Sequence, residues 1–341
     1  MKADIDLDVG GKTFASGLLP ELITVLRRSR PGDLVAVIGD EESIGPELER
    51  WCRFTGNALL EATSENGRSR WVFRCGTVAP EENNRPLGSR LWLYTNFDCN
   101  LRCNYCCVRS SPTVPRRELG LDRVKRIARE AADLGVKEIF VTGGEPFLLE
   151  DIQEILIACA AVAPTTVLTN GMLFTGRRAE SLRALPRDRI VLQISLDSAT
   201  PDRHDLHRGP GTWARTRAGI AYAVAQGFRV RLAATVSTDA EAEEFRQFLD
   251  KEKIAEEDRV IRRIALRGAA SEGVAVSRTD LVPEVTITAD GVYWHPVGAE
   301  DEDLLVTREI FPLSESFAAV RGAFDREHEH SNKLARIFTC A

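Results

Sequence analysis

The sequence predicts an α/β fold: six strand–helix units forming an open, partial (β/α)6 barrel, preceded by a small βαβαββ unit. Three observations carry this. From residue 89 onward, short apolar strand-like runs alternate with amphipathic helical segments. The 341 residues suit one large domain plus a smaller one. A polar stretch rich in Pro and Asn, VAPEENNRPLG, separates two differently patterned regions.

Residues 1–78 form the first region. A strand near Ile5–Val9 leads into the turn Gly10-Gly11. A helix follows from about Leu18 to Arg28, with Leu19, Leu22, Ile23 and Leu26 recurring on one face. After the turn Pro31-Gly32-Asp33 come an apolar strand, Leu34–Ile38, and a second helix, Ile44–Phe54. Two further strands, Ala58–Ala62 and Trp71–Arg74, flank the turn Glu65-Asn66-Gly67. Residues 79–88 read as a linker.

The barrel is expected over residues 89–270. Its strands are Leu91–Thr95, Glu138–Thr142, Thr166–Thr169, Ile190–Leu196, Arg229–Val236 and Val260–Leu266. Helices are expected at 121–134, 151–162, 176–185, 212–226 and 240–251. In the first, Leu121, Val124, Ile127, Ala128, Ala131 and Leu134 form the buried stripe, and Gly135 suits its stop. A sheet wound this way is parallel, and its functional groups belong at the C-terminal strand ends. Residues 271–341 are less regular. Pro283–Ala289 and Val292–His295 read as a hairpin around Asp290-Gly291, and Ser314–Glu327 as a helix.

Composition narrows the function. Hydrophobic residues make up 43% and charged residues 28%, as in soluble globular proteins. No apolar run approaches the roughly 20 residues that span a bilayer. The N-terminus MKADIDLDVGGK lacks the apolar core of a signal peptide, so a cytoplasmic location without a membrane partner is expected. A formal charge of -6 disfavours a nucleic-acid polymer as partner.

Four of the eight cysteines crowd into positions 99–107, which suggests metal and not disulfides. The string Asn96-Phe97-Asp98-Cys99-Asn100-Leu101-Arg102-Cys103-Asn104-Tyr105-Cys106-Cys107 contains C-x3-C-x2-C directly after the first barrel strand. Three thiolates in one loop can hold three irons of a cubane, leaving the fourth iron open to a small molecule. Zinc is the rival reading, with Cys107 as a fourth ligand, although structural zinc usually takes two separated pairs. Unrelated buried thiols are a third.

With this loop the chain resembles the radical S-adenosylmethionine (SAM) superfamily over residues 89–270. Tyr105 stands where that family carries an aromatic residue near the adenine. Gly143-Gly144-Glu145-Pro146, after the second strand, resembles the family's GGEP. The glycines would let main chain approach a ligand, and Glu145 would accept from the SAM ammonium. Gln193-Ile194-Ser195-Leu196-Asp197-Ser198 resembles the family's xSxD segment; alternation places Gln193, Ser195 and Asp197 on one face. The resemblance puts Ser195 and Asp197 near the SAM ribose and carboxylate. His204-Asp205-Leu206-His207-Arg208-Gly209 resembles HDxxRG, with Arg208 as the group expected to grip the SAM carboxylate. Asn170, in Thr169-Asn170-Gly171, would meet the ribose.

The resemblance implies one [4Fe–4S] cluster on Cys99, Cys103 and Cys106, SAM as second cofactor, and a flavodoxin or ferredoxin type of electron donor. It implies reductive cleavage of SAM to a 5′-deoxyadenosyl radical, which abstracts hydrogen from a substrate in the barrel mouth. No acid–base catalytic residue is assigned. The N-terminal unit resembles the TusA/SirA-like sulfur-carrier domain, without a cysteine in Gly11-Lys12-Thr13-Phe14-Ala15-Ser16-Gly17, so docking of a protein partner or covering of substrate is its expected role. Thr288–Pro296 resembles a degenerate SPASM/twitch hairpin with His295 in place of cysteine. Only Cys340 remains downstream, so no second cluster is expected. Cys107 is read as a neighbour of the cluster, and Cys52 and Cys75 as buried thiols. A small metabolite, such as a nucleoside, sugar or sulfur-containing compound, is the favoured substrate. A ribosomal peptide, or an Fe–S sensor without catalysis, are the alternatives.

Overall fold

The computed structural model describes residues 2–13, 18–26, 29, 32–41, 43–55, 57–65, 67–75 and 87–337. Most of the expected linker, residues 79–86, and Cys340 lie outside them, as do Phe14–Gly17. Two compact units are present, Met1–Pro86 and Leu87–Ala341.

The first unit runs β1 (Ile5–Gly10), α1 (Leu18–Leu26), β2 (Leu34–Gly39), α2 (Ile44–Thr55), β3 (Ala58–Glu65) and β4 (Arg68–Arg74), the expected βαβαββ order. Its sheet is ordered β1-β2-β4-β3, with β1 parallel to β2 and the other pairs antiparallel. Val35, Val37, Trp71 and Phe73 meet Leu18, Leu22, Ile44 and Leu48 from the helices in one core. Cys52 and Cys75 are buried there as free thiols, and burial pushes the Cys52 thiol up to about 12.

In the second unit, β5 (Arg90–Tyr94), β6 (Glu138–Thr142), β7 (Thr165–Thr169), β8 (Ile190–Ser195), β9 (Arg229–Val236) and β10 (Arg259–Arg263) pair in sequence order, all parallel. The helices between them are α3 (Leu121–Asp133), α4 (Ile152–Val162), α5 (Gly176–Arg183), α6 (Pro201–Arg208), α7 (Thr212–Ala225) and α8 (Asp239–Lys251). Val124, Ile127 and Ala131 of α3 pack with Ile155, Leu156 and Cys159 of α4 against Leu91, Leu93, Ile139 and Val141. Each buried leucine or isoleucine there stabilises the fold by about 1.5–3 kcal/mol.

Three differences from the sequence reading matter. Helix α6, not anticipated, carries the HDLHR residues; its start is Thr200 followed by Pro201 at the first turn. The β10 strand ends at Arg263, short of Leu266. The C-terminal hairpin does not stand apart. Its strands β11 (Thr286–Thr288) and β12 (Gly291–Tyr293) join the open sheet, β11 lying parallel to β5 with Thr286 opposite Trp92. A short β13 (Leu305–Thr307), also unforeseen, extends it, giving the order β10-β9-β8-β7-β6-β5-β11-β12-β13. Helix α9 (Leu313–Ile337) closes the described chain.

Candidate functional site

The cysteine loop leaves the C-terminal end of β5, and its neighbours hold it mainly through backbone. Gly144 N–H donates to Asn96 O at 2.9 Å, and Glu145 N–H to Asp98 O at 3.0 Å. The Asn96 amide donates back to Asp98 O at 3.0 Å and Glu145 O at 3.1 Å. This fit explains the two glycines. A Cβ on Gly144 would stand 2.1 Å from Asp98 O, and one on Gly143 would stand 2.4 Å from Asn96 Oδ1. The close approach is therefore to the cysteine loop, where the sequence suggested a ligand. Asn96 is a site residue that sequence reasoning missed; a lone amide after an apolar strand was its only signal.

Glu145 is fully buried. Its Oε1 accepts from Thr169 Oγ1 at 2.7 Å and Phe147 N–H at 3.1 Å, and its Oε2 from Asn170 N–H at 2.8 Å. A carboxylate has about four acceptor positions, so one remains on Oε2. Burial raises its pKa, against the pull of these donors. An ammonium at the remaining position would favour the charged form. Asn170 is more committed than the sequence implied. Its amide donates to Asn100 Oδ1 at 2.8 Å, and its own oxygen accepts from Met172 N–H at 3.0 Å.

Asp197 and Arg208 form a buried pair, Nε to Oδ2 at 2.6 Å and Nη2 to Oδ1 at 3.3 Å. Tyr105 hydroxyl donates to Oδ2 at 2.5 Å, and Thr235 N–H to Oδ1 at 3.1 Å. All four acceptor positions of Asp197 are thus filled by protein. Burial raises the Asp197 carboxyl, but Arg208 and the hydrogen bonds outweigh it and hold the group below its ordinary value. Here Asp197 fastens the cysteine loop, through Tyr105, to β8 and α6. A ligand hydroxyl would have to displace one of its donors. Asn104 adds to the same clasp: its N–H donates to His207 O at 3.2 Å, and its side chain meets His207 Nδ1 at 2.9 Å. Ser195 sits one residue pair below, opposite Ala233.

The thiols fit a cluster. Cys99 is buried, while Cys103 and Cys106 are partly exposed. Burial raises the Cys99 and Cys103 thiols, Cys103 to about 11, and each is further raised by the neighbouring cysteines. Displacing those protons is the work of a metal centre. Backbone N–H groups of Leu101 and Ser110 already point at Cys99 Sγ (3.4 Å) and Cys106 Sγ (3.3 Å). Among the described residues, no group of three His, Cys, Asp or Glu side chains could hold a single metal ion. A cubane needs no such convergence, because each thiolate binds its own iron.

Around the loop, Glu145 acts on Cys99, Arg208 and Asp197 act on Cys103, and Arg262 acts on Cys107. Cys107 lies beside Tyr94, whose hydroxyl donates to Pro296 O at 2.7 Å. The His295 loop therefore abuts the cysteine loop. A cavity of about 600 Å³ lies behind it, bounded by Arg109, Arg267, Gly268 and the acidic residues 300–303. Gly268 contacts the cysteine loop: its Cβ would stand 2.2 Å from Cys106 O.

A family model described as the radical SAM superfamily matches residues 93–251. An AdoMet-dependent heme synthase from Methanosarcina barkeri is 38% identical over 141 residues, covering 41% of this chain and 40% of that protein. A probable GTP 3′,8-cyclase from Methanosarcina mazei is 35% identical over 137 residues, covering 38% and 40%. The antilisterial bacteriocin subtilosin biosynthesis protein AlbA from Bacillus subtilis is 37% identical over 180 residues, covering 50% and 39%. The chain thus spans about two fifths of the length of these relatives. Among solved structures, anSMEcpe with bound AdoMet is similar in fold, with a TM-score of 0.53 at 12% identity over 68% of this chain and 77% of that one. No helix among the described residues is long and apolar enough to cross a membrane.

Proposed function

We propose that this chain, whose residues 93–251 match the radical SAM superfamily, is a radical SAM enzyme in which Cys99, Cys103 and Cys106 hold a [4Fe–4S] cluster and SAM is cleaved reductively. Cluster and SAM together supply a 5′-deoxyadenosyl radical that takes a hydrogen atom from a small metabolite in the barrel mouth. The electron comes from a flavodoxin or ferredoxin type of donor. The observation that carries this reading is the three-thiol loop pinned between Glu145 and the Asp197–Arg208 pair.

In this reading each residue has a separate task. Glu145 offers its one open acceptor position to the SAM ammonium, in a dry setting that strengthens a charge-assisted bond. Arg208 keeps Nη1 uncommitted in the pairing with Asp197 and can turn it to the SAM carboxylate. Ser195 and Asn170 border the ribose, and Tyr105 the adenine. Gly143 and Gly144 set the distance between the Glu145 turn and the cysteines.

A peptide substrate is the second reading. It is favoured by the match to AlbA, which covers half of this chain and whose name is that of a bacteriocin biosynthesis protein, and by the hairpin at Thr286–Tyr293. The test common to both is anaerobic reconstitution with iron and sulfide, then dithionite and SAM, with 5′-deoxyadenosine and methionine quantified. The proposal expects both in equal amounts. Their absence with dithionite and with a flavodoxin system would leave only an Fe–S sensor.

A further inference from the structure

Helix α7 backs the turn that fixes Glu145. Its buried residues, Thr212, Thr216, Gly219 and Ala223, recur at helical spacing on one face. Thr216 is 1% exposed, and its hydroxyl donates to Asn170 O at 3.0 Å. One helical turn further on, a Cβ on Gly219 would stand 1.8 Å from Gly171 O, the shortest such distance among the described glycines. Bare helix backbone therefore lies directly against the Asn170-Gly171 turn, and a residue without a side chain is needed for that approach.

The turn Thr169-Asn170-Gly171-Met172 supplies two of the three donors on the Glu145 carboxylate. Thr169 Oγ1 donates to Oε1 at 2.7 Å, and Asn170 N–H to Oε2 at 2.8 Å. Thr169 Oγ1 is itself tied to the turn, accepting from Gly171 N–H at 3.1 Å. Asn170 thus turns its N–H to Glu145 and its carbonyl to Thr216 of α7. The last torsion of a glutamate side chain is soft. Donors on both oxygens, and not the side chain itself, therefore set the angle of this carboxylate and the direction of its remaining acceptor position.

We infer that Thr216 and Gly219 are positioning residues for SAM binding: through the Asn170-Gly171 turn they hold the Glu145 carboxylate at the angle that presents its open acceptor position to the SAM ammonium. This rests on the radical SAM reading, which assigns that position to the ammonium. The effect is confined to one partner. The cysteine loop is pinned by the backbone N–H groups of Gly144 and Glu145, whereas α7 acts on the Glu145 side chain. Loosening the turn therefore weakens the hold on SAM and leaves the cluster in place.

Calorimetric titration of the iron-loaded full chain with SAM, without reductant, tests this. Thr216→Val keeps the shape of threonine, removes the hydroxyl and leaves the buried Asn170 O without that donor; it is expected to weaken SAM binding about tenfold at unchanged iron content. Thr216→Ser keeps the hydroxyl and binds SAM like wild type. Gly219→Ala, whose Cβ meets backbone, weakens binding further. In turnover with dithionite the loss appears in KM for SAM and not in kcat. Leu249→Ala, in the core of α8 away from this turn, lowers the unfolding midpoint and leaves SAM affinity unchanged, which separates positioning from general loss of stability. If Gly219→Ala does not fold, Thr216→Val decides. Equal SAM affinity in Thr216→Val and wild type, or loss of iron in step with loss of SAM affinity, overturns this inference alone. A wild type that holds its cluster and binds no SAM overturns the radical SAM reading and this inference with it.

Discussion

Replacing Gly144 by alanine tests whether the glycine pair serves the cysteine loop. The added Cβ would stand 2.1 Å from Asp98 O, 2.6 Å from Asp98 C and 2.8 Å from Phe97 O, all backbone atoms. Ordinary contact begins at 3.4 Å, so the two chains must part by about 1.3 Å. Two hydrogen bonds, Gly144 N–H to Asn96 O and Glu145 N–H to Asp98 O, lie across that gap and would be stretched. Overpacking of this kind costs about 1–3 kcal/mol. Misplacement of a reacting group by about 1 Å costs about 10²-fold in rate. Gly144→Ala is therefore expected to lower the unfolding midpoint by several degrees. It should also lose most of its iron on gel filtration and make 5′-deoxyadenosine about a hundredfold more slowly. Gly176→Ala is the control, because nothing lies within 4 Å of its Cβ and only its φ of 52° is strained. Full iron content and a rate within twofold of wild type in Gly144→Ala would refute the docking role.

Serine at Cys99, Cys103 or Cys106 should each abolish retention of a four-iron cluster, whereas Cys107→Ser should retain it; iron and sulfide analysis decides. Asp197→Asn leaves the buried Arg208 guanidinium without its counter-charge, at a cost of about 3–5 kcal/mol, seen as a fall of roughly 6–20 °C in the unfolding midpoint. The cluster-free protein should lose stability as pH falls from 6.5 towards about 4. Folding depresses His204 and His295 to about 4, so between those values the unfolded chain binds up to two protons that the native state refuses. The slope there is at most about 2.7 kcal/mol per pH unit, and His204→Gln should roughly halve it in denaturant melts. An unchanged slope in His204→Gln would contradict the burial of a neutral imidazole.

Much of the fold could be read because its signals are local. Apolar runs such as Ile139–Val141 and stripes such as Val124, Ile127 and Ala131 encode period and burial directly. What was missed depends on partners distant in sequence. Thr286–Thr288 is short and looks like one arm of an isolated hairpin; only its pairing with Trp92 and Leu93 makes it part of the main sheet. Helix α6 is polar on most faces, with His204 as its one buried residue, so no apolar period marked it. The same limit applied at the site. Motif residues could be located along the chain, but not the number of acceptor positions each had already filled. Asp197 spends all of its own on Tyr105, Arg208 and Thr235, and Asn170 is held by Asn100 and Met172.

A cubane held by three thiolates leaves one iron open, and SAM bound there would alter its electronic structure. Electron paramagnetic resonance of the anaerobically reduced protein, recorded before and after SAM is added, tests it most directly. The expected result is a reduced [4Fe–4S] signal whose g values move when SAM binds. A signal indifferent to SAM, or a protein that takes up zinc and gives no iron–sulfur signal, would contradict it.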